Sequence, residues 1–408
     1  MKIWPITPLL LALALLAAAC TSATSVSGGS GEADSTDAEQ AEPTSIPDES
    51  DSADEAEPAD AEAETAETEP AETETEEPEA ADPEPAEEPE ADEPDAEEPE
   101  PAEAEPVSGS GVAGSGCGSG VAAGTTTQTL MFEGRERTFE RWVPAGYDDA
   151  TPLPVVLNWH GLGSNGAEQL AFSNYGSLAD DENFIVIAPT GVPTPGDDRP
   201  SWEVSADQDP GRDDVAFANE VLDIVIGSLC VDESRVYTTG ISNGGYFSSL
   251  LICELSDRIA AASSIAGLTH NDDCSPERFV PYIAFHGVED EVVPYFGGGE
   301  SSLAPGQTID LFLLEILDEF TEFAVDGGCD REPLVTSESD NVVSFAFRDC
   351  GGDESVLTLY EIANGGHTWP GSPLSLAISE AIGLGLTTDE INATQVSWDF
   401  FQEHTLDG

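Results

Sequence analysis

The stretch from about Thr125 to Gly408 predicts an α/β fold built on a buried, largely parallel central sheet with helices on both faces. Three observations carry that expectation. Short apolar runs, VVL at 155–157 and FIVIA at 184–188, are what strands covered on both faces look like. Between such runs lie segments with the 3.6-residue apolar period of helices packed on a sheet. The segment 235–254, RVYTTGISNGGYFSSLLICE, reads as strand, glycine-bounded turn and amphipathic helix without interruption.

In order along this domain, β-branched and aromatic runs predict strands at 128–132, 138–143, 154–159, 184–188, 236–239, 282–285, 342–347 and 356–362. Helical periodicity predicts helices at 167–180, 214–228, 245–255, 308–323 and 389–403. Alternation of the two types along one chain is the signature of crossover connections and a parallel sheet. No internal repeat is evident.

The residues before the domain have a different character. Residues 1–20 read as a secretion signal of the lipoprotein type: Lys2, an apolar core at 9–16 too short to span a bilayer, then Ala17-Ala18-Ala19-Cys20. Cys20 is the expected lipid attachment site, with plain cleavage after the alanines as the alternative. Residues 21–124 form a linker. Its core, 31–106, holds 34 acidic residues, no basic residue and no aromatic one. Such a chain cannot bury enough apolar surface to offset its entropy, so it is expected to be a disordered, self-repelling spacer. It ends in a glycine-serine joint at 109–124 that contains Cys117. The whole sequence has a formal net charge of −72, and Lys2 is its only lysine. That balance argues against nucleic acid as a partner, which requires a basic face. It suits a protein kept soluble in saline surroundings.

Seven cysteines fit a chain exported to an oxidising compartment. With Cys20 lipidated, six remain for three disulfides. Cys329 and Cys350 flank a predicted hairpin and are the expected pair; the pairing of Cys117, Cys230, Cys253 and Cys274 stays open.

Chemistry concentrates at Gly240-Ile241-Ser242-Asn243-Gly244. This G-x-S-x-G, between strand and helix, is the nucleophile-elbow pattern, in which small flanks let the backbone turn sharply and expose the serine at a helix N-terminus. A serine hydroxyl needs a histidine base, held in one tautomer by a carboxylate. Of the histidines after Ser242, His404 sits at a polar helix end, His270 in a polar loop, and His286 at the end of a strand in a structural setting. His367 lies in the glycine loop NGGHTWP just past a strand, where a catalytic base is expected. For the acid, Glu289, Asp290 and Glu291 share one turn, and position does not choose among them. Two backbone N–H groups should hold the developing oxyanion: that of Asn243, and one from His160-Gly161-Leu162-Gly163-Ser164, with Leu162 the expected donor. Trp202, Trp369 and His160 are expected beside the substrate, His160 through its backbone more than its imidazole.

HGLGS at His160, RVYTTGISNGGYFSSLLICEL around Ser242, AFHGVEDEVVPY around Asp290 and GGHTWPG around His367 together resemble the secreted polyhydroxybutyrate depolymerase/feruloyl esterase family of α/β-hydrolases, the LpqC-like esterases close to carbohydrate esterase family one. The resemblance runs from about Thr129 to Trp398. It implies the α/β-hydrolase fold, Ser242 as nucleophile, His367 as base and, where spacing left three candidates, Asp290 as acid. Ser201-Trp202 and Asp213-Asp214-Val215 also look like family features. The acidic extension, a glycine-rich insert at 296–306 and the run 372–388 depart from the family, and the last two put substrate identity in doubt.

The resulting expectation is an extracellular, membrane-anchored carboxylic ester hydrolase acting through an acyl-enzyme, with no metal or organic cofactor. Its expected substrates are feruloyl or acetyl esters on polysaccharide, or hydroxybutyrate oligomers. A catalytically silent surface binding module is the rival from another class; it would be favoured had Ser242 or His367 been replaced. A peptidase is the rival among hydrolases, and matched ester and amide substrates separate the two.

Overall fold

The computed structural model describes residues 114–194, 196–204, 212–271, 275–298, 315–351 and 355–406. The expected signal sequence with Cys20, the expected linker as far as residue 113, Cys274, the insert beyond Gly298 and the first part of the helix expected over 308–323 lie outside the described residues. In chain order the elements are β1 (Gly124–Phe132), β2 (Arg135–Val143), β3 (Leu153–Trp159), α1 (Gly166–Ser173), α2 (Tyr175–Glu182), β4 (Ile185–Pro189), β5 (Val192–Thr194) and β6 (Asp197–Ser201). They continue with α3 (Asp214–Ser228), β7 (Val231–Ile241), α4 (Asn243–Glu254), β8 (Ala261–Ile265), β9 (Tyr282–Gly287) and α5 (Ile316–Asp326). The last are β10 (Leu334–Ser337), β11 (Val342–Cys350), β12 (Ser355–Ile362), α6 (Pro373–Ile378) and α7 (Ala393–Gln402).

Among the described residues, ten strands make one sheet in the order β1-β2-β4-β3-β7-β8-β9-β12-β11-β10, and β5 pairs with β6 as a separate hairpin. The central run β4-β3-β7-β8-β9-β12 is parallel, and antiparallel strands close both flanks. The chain has the α/β-hydrolase fold. Successive side chains of a strand point to opposite faces, and the buried strands divide accordingly. Val155, Leu157 and Trp159 of β3 join one core with Phe217 and Val221 of α3, Phe247 and Leu251 of α4, and Phe320 of α5. Val156 joins the other core with Tyr175 and Ala179 of α2 and Trp398 and Phe401 of α7. Two apolar faces explain why VVL carries no polar alternation.

Several expectations are corrected. The helix expected over 167–180 is two, because Asn174 adopts the left-handed conformation (φ 61°, ψ 17°) and its N–H caps Leu170 O. Asparagine tolerates that region better than most residues, and the break turns Tyr175 into the core. β8, AASSI, was not expected. Its small residues lack β-branched bulk, yet every one is buried, with the Ser263 hydroxyl 2.7 Å from that of Thr239. Part of the expected glycine-serine joint is packed against the domain: Gly114 and Gly116 N–H groups bond Val231 O and Ile226 O, and Cys117 is disulfide-bonded to Cys230. The run 372–388 contains the short helix α6, opened by Pro373. Helix α7 starts at Ala393 and not at Asp389, since the Asn392 side chain caps it by accepting from Gln395 N. Cys329 is bonded to Cys350, as expected, and Cys253 is disulfide-bonded as well.

The topology decides where chemistry can occur. In an open parallel sheet, ligands bind beyond the carboxyl ends of the strands. Ser242 follows β7, Asp290 follows β9 and His367 follows β12, so all three leave the same edge of the sheet.

Candidate active site

Ser242 has φ 56° and ψ −123°, a backbone state that costs an L-residue on the order of 1–3 kcal/mol. Its surroundings enforce that state. The Ser242 N–H donates to Ile265 O at the end of β8 (2.9 Å), and Ser242 O accepts from Tyr246 N in the first turn of α4 (2.9 Å). The glycines of the motif are needed for approach: a Cβ at Gly240 would overlap Gly244 O, and one at Gly244 would overlap Trp159 O. The turn therefore lies against the end of β3, where the 160–164 loop begins. A Cβ at Gly161 would stand 3.3 Å from the Ser242 Cβ, so that loop passes directly over the serine.

Asp290 and His367 meet because their loops are joined. Glu289 N donates to Gly365 O (3.0 Å) and Val288 N to Ile362 O (2.9 Å). His367 Nδ1 lies 2.8 Å from Asp290 Oδ2, and both residues are buried. Asp290 Oδ1 accepts from Val292 N and Val293 N, each at 2.8 Å. With both oxygens accepting, the carboxylate fixes the proton on His367 Nδ1 and leaves Nε2 as the basic nitrogen. Burial alone would raise the Asp290 pKa. The charge of His367 and the hydrogen bonds from His286 and His367 overcome it and hold the carboxyl well below the usual carboxylate range. Among the described residues Asp290, and neither Glu289 nor Glu291 of the same turn, bonds His367.

His286 turns out to support this acid. Its Nε2 lies 2.9 Å from Val293 O and 3.4 Å from Asp290 Oδ2, so it secures the turn as well as the carboxylate. Its strand-end position signalled burial, but a contact four residues along the chain has no sequence signature. His270 pairs with Asp326 of α5 (2.9 Å), and His404 lies against Phe400 of α7.

Among the described residues, neither Asn243 N–H nor Leu162 N–H donates to a protein acceptor. The three residues expected beside the substrate are placed otherwise. Trp202 is 1% exposed, stacked on Phe247 (5.3 Å) and edge-on to Trp159 (5.0 Å). Trp369 is fully buried against Tyr175 and donates Nε1–H to Thr394 Oγ1 (2.8 Å), anchoring the histidine loop to α7. His160 is also fully buried. The two tryptophan rings expected to line the cleft are packed inside the domain instead, while the His160 imidazole is a buried, hydrogen-bonded structural group, as expected.

The His160 imidazole is doubly bonded, donating Nδ1–H to Gly161 O (2.7 Å) and accepting from Gly191 N at Nε2 (2.9 Å). That pattern requires the neutral ring. Burial lowers its pKa to about 4 against the opposing pull of Gly161 O. Sequence reading also missed a buried ion cluster. Asp214 accepts from Arg137 Nη2 (3.0 Å), Arg212 Nε (2.6 Å) and Glu203 N (2.9 Å), while Arg212 also donates to Ser201 O and Val192 O. Asp213 caps α3 by accepting from Ala216 N (2.8 Å). The Asp-Asp pair thus fastens the segment carrying Trp202 to α3.

Comparison with known proteins gives one family match and several relatives. Residues 131–280 match the profile of the family described as "Putative esterase". The chain is 29% identical over 229 residues to "Feruloyl esterase B" of Piromyces equi, a match covering 55% of this chain and 41% of that protein. It is 27% identical to "Putative esterase NocK" of Nocardia uniformis subsp. tsuyamanensis, over 68% of this chain and 83% of that one. It is 24% identical to "Bifunctional acetylxylan esterase/xylanase XynS20E" of Neocallimastix patriciarum, over 68% of this chain and 34% of that one. The chain thus spans less than half the length of the Piromyces and Neocallimastix proteins. The chain has the α/β-hydrolase fold, and its residues 131–280 are similar to the family described as "Putative esterase".

The His160 pKa has a measurable consequence. The unfolded chain protonates this group near pH 6.5 and the folded chain only near 4. Stability is therefore full above about pH 6.5 and declines as pH falls toward about 4. Asp290 acts in the same direction but below its unfolded value of about 3.9. Urea midpoints should fall between about pH 6.5 and 5 for the natural protein and stay flat for His160→Gln. Equal slopes in the two would assign the decline to another group.

Proposed function

We propose that this protein is a serine carboxylesterase using Ser242, His367 and Asp290 through an acyl-enzyme. The observation that carries the reading is the Asp290–His367 hydrogen bond at the same sheet edge as a serine held at positive φ on a helix N-terminus. His367 Nε2 takes the Ser242 proton as Oγ attacks the ester carbonyl. Negative charge develops on the carbonyl oxygen, where the N–H groups of Asn243 and Leu162 and the positive end of α4 receive it. Collapse expels the alkoxide, which His367 protonates. Water, deprotonated by the same nitrogen, then cleaves the acyl-Ser242 ester and restores the hydroxyl. Asp290 stays ionised throughout and stabilises the imidazolium.

Feruloyl or acetyl esters attached to plant polysaccharide are the favoured substrates, on the strength of relatives named feruloyl esterase and acetylxylan esterase/xylanase. Hydroxybutyrate oligomers are the alternative. Hydrolysis of p-nitrophenyl acetate, p-nitrophenyl butyrate, methyl ferulate and a hydroxybutyrate trimer separates these acyl groups. Ser242→Ala should lower kcat about 10⁶-fold and Asp290→Asn about 10⁴-fold, the latter by releasing the wrong imidazole tautomer. Retention of ester hydrolysis by folded Ser242→Ala would overturn the triad.

The setting we infer is the outer face of a membrane, with the domain tethered through a lipid on Cys20. The sequence around Cys20 and the disulfides of the domain support it. Radiolabelled palmitate should enter the natural protein expressed in a bacterium and not its Cys20→Ser variant. Equal labelling would place the anchor elsewhere, and none in either would make the protein freely secreted.

A further inference from the structure

The two N–H groups offered to an oxyanion come from different parts of the chain, and their separation must hold to a fraction of an ångström to be useful. Backbone pairing between β3 and β7 ends at Trp159 and Gly240, before either donor is reached. Beyond that point a chain of side-chain bonds takes over. The Asn243 amide grips the Trp202 backbone at both ends, accepting from Trp202 N (2.7 Å) and donating to Trp202 O (3.0 Å). The Trp202 indole donates Nε1–H to His160 O (3.0 Å). The His160 imidazole in turn donates to Gly161 O (2.7 Å).

That last bond acts on the Leu162 donor itself. Gly161 C=O and Leu162 N–H belong to one trans peptide and point in opposite directions. Drawing the carbonyl toward the imidazole aims the N–H the other way, and a flipped peptide would lose the bond. Gly163 N donates to Pro200 O (2.8 Å), so the far side of the loop is tied to the same segment that carries Trp202. The segment is itself held by Arg212 and Asp214.

We propose that Asn243, Trp202 and His160 form one brace, with Trp202 as its central positioning residue, that sets the orientation and spacing of the Asn243 and Leu162 N–H groups. The proposal rests on the esterase reading of the site. None of the three side chains touches the reacting atoms. The Asn243 side chain is taken up by its two bonds to the Trp202 backbone. The brace assigns a role to Trp202 that its burial permits and a cleft wall does not.

Trp202→Phe removes the indole donor and keeps an aromatic ring in the Trp159–Phe247 stack. Asn243→Ala removes both bonds to Trp202 and keeps the backbone donor. Each should lower kcat and kcat/KM together by about 10- to 100-fold, with KM within about twofold, on the best ester of the natural protein. Affinity for a trifluoromethyl ketone, whose hemiketal oxygen occupies the oxyanion position, should weaken by the same factor. As both substitutions cut one chain, the double variant should lose no more than the worse single variant. Circular dichroism establishes that each variant is folded; should Asn243→Ala fail to fold, Trp202→Phe decides alone.

Unchanged kcat in folded Trp202→Phe would overturn the brace, as would a loss confined to KM or losses that multiply in the double variant. Failure of the underlying reading looks different: the natural protein would then cleave no ester, and the brace would fall with it. Activity that Ser242→Ala abolishes and Trp202→Phe leaves whole removes the brace alone.

Discussion

An L-residue at φ 56° and ψ −123° is held there only when its neighbours leave no other place to go. Ser242 meets that condition because three elements close on it. β8 accepts its N–H at Ile265, α4 donates to its carbonyl from Tyr246, and the end of β3 crosses so near that Gly244 can bear no side chain. Each of those elements is in turn pressed onto the sheet by a core on one face or the other. The strain at the serine is thus supported by the burial of β3, β7, β8 and α4. The same packing sends the hydroxyl beyond the sheet edge, at the positive end of α4, with the N–H of its own neighbour beside it.

The Asp290–His367 contact is built on a second constraint, the union of the loops after β9 and β12. Parallel pairing of those strands ends with Gly287 opposite Ile362. Gly287 then packs so closely on Gly365 and Gly366 that a Cβ would overlap their carbonyls. Backbone bonds from Val288 and Glu289 extend the contact, and Asp290 emerges facing His367. His286 and the amides of Val292 and Val293 surround the carboxylate with donors, which keeps a buried charge ionised. The two carboxylates Glu289 and Asp290 of this turn are used differently. Asp290 is enclosed and fixed, whereas its neighbour Glu289 contributes its backbone to joining the loops.

Much of this was legible because the residues concerned are constrained locally. A strand that ends in G-x-S-x-G and runs into a helix places Ser242 without tertiary information, and a glycine loop after a strand singles out His367. VVL and FIVIA announce a sheet covered on both faces. Which carboxylate meets His367 Nδ1 was not legible from spacing, since Glu289, Asp290 and Glu291 are equivalent until the turn is built. β8 escaped notice because AASSI owes its strand to the room between its neighbours and not to intrinsic preference. Trp202 and Trp369 were misjudged for a related reason. An aromatic ring near a catalytic motif in sequence can lie above the site or beneath it, and only the packing against Phe247 or Tyr175 decides. In the Arg137–Asp214–Arg212 cluster Arg137 comes from far along the chain, so no local pattern could reveal its part.

The central claim is that Ser242 is the activated nucleophile of this fold. Its most direct test is covalent labelling of the natural protein with a fluorophosphonate, followed by mass spectrometry of the digested chain. The account predicts one adduct per molecule, on the peptide that contains Ser242. It also predicts loss of that adduct in His367→Ala, where the hydroxyl no longer has a base. A label on any other residue, or equal labelling rates with and without His367, would contradict it.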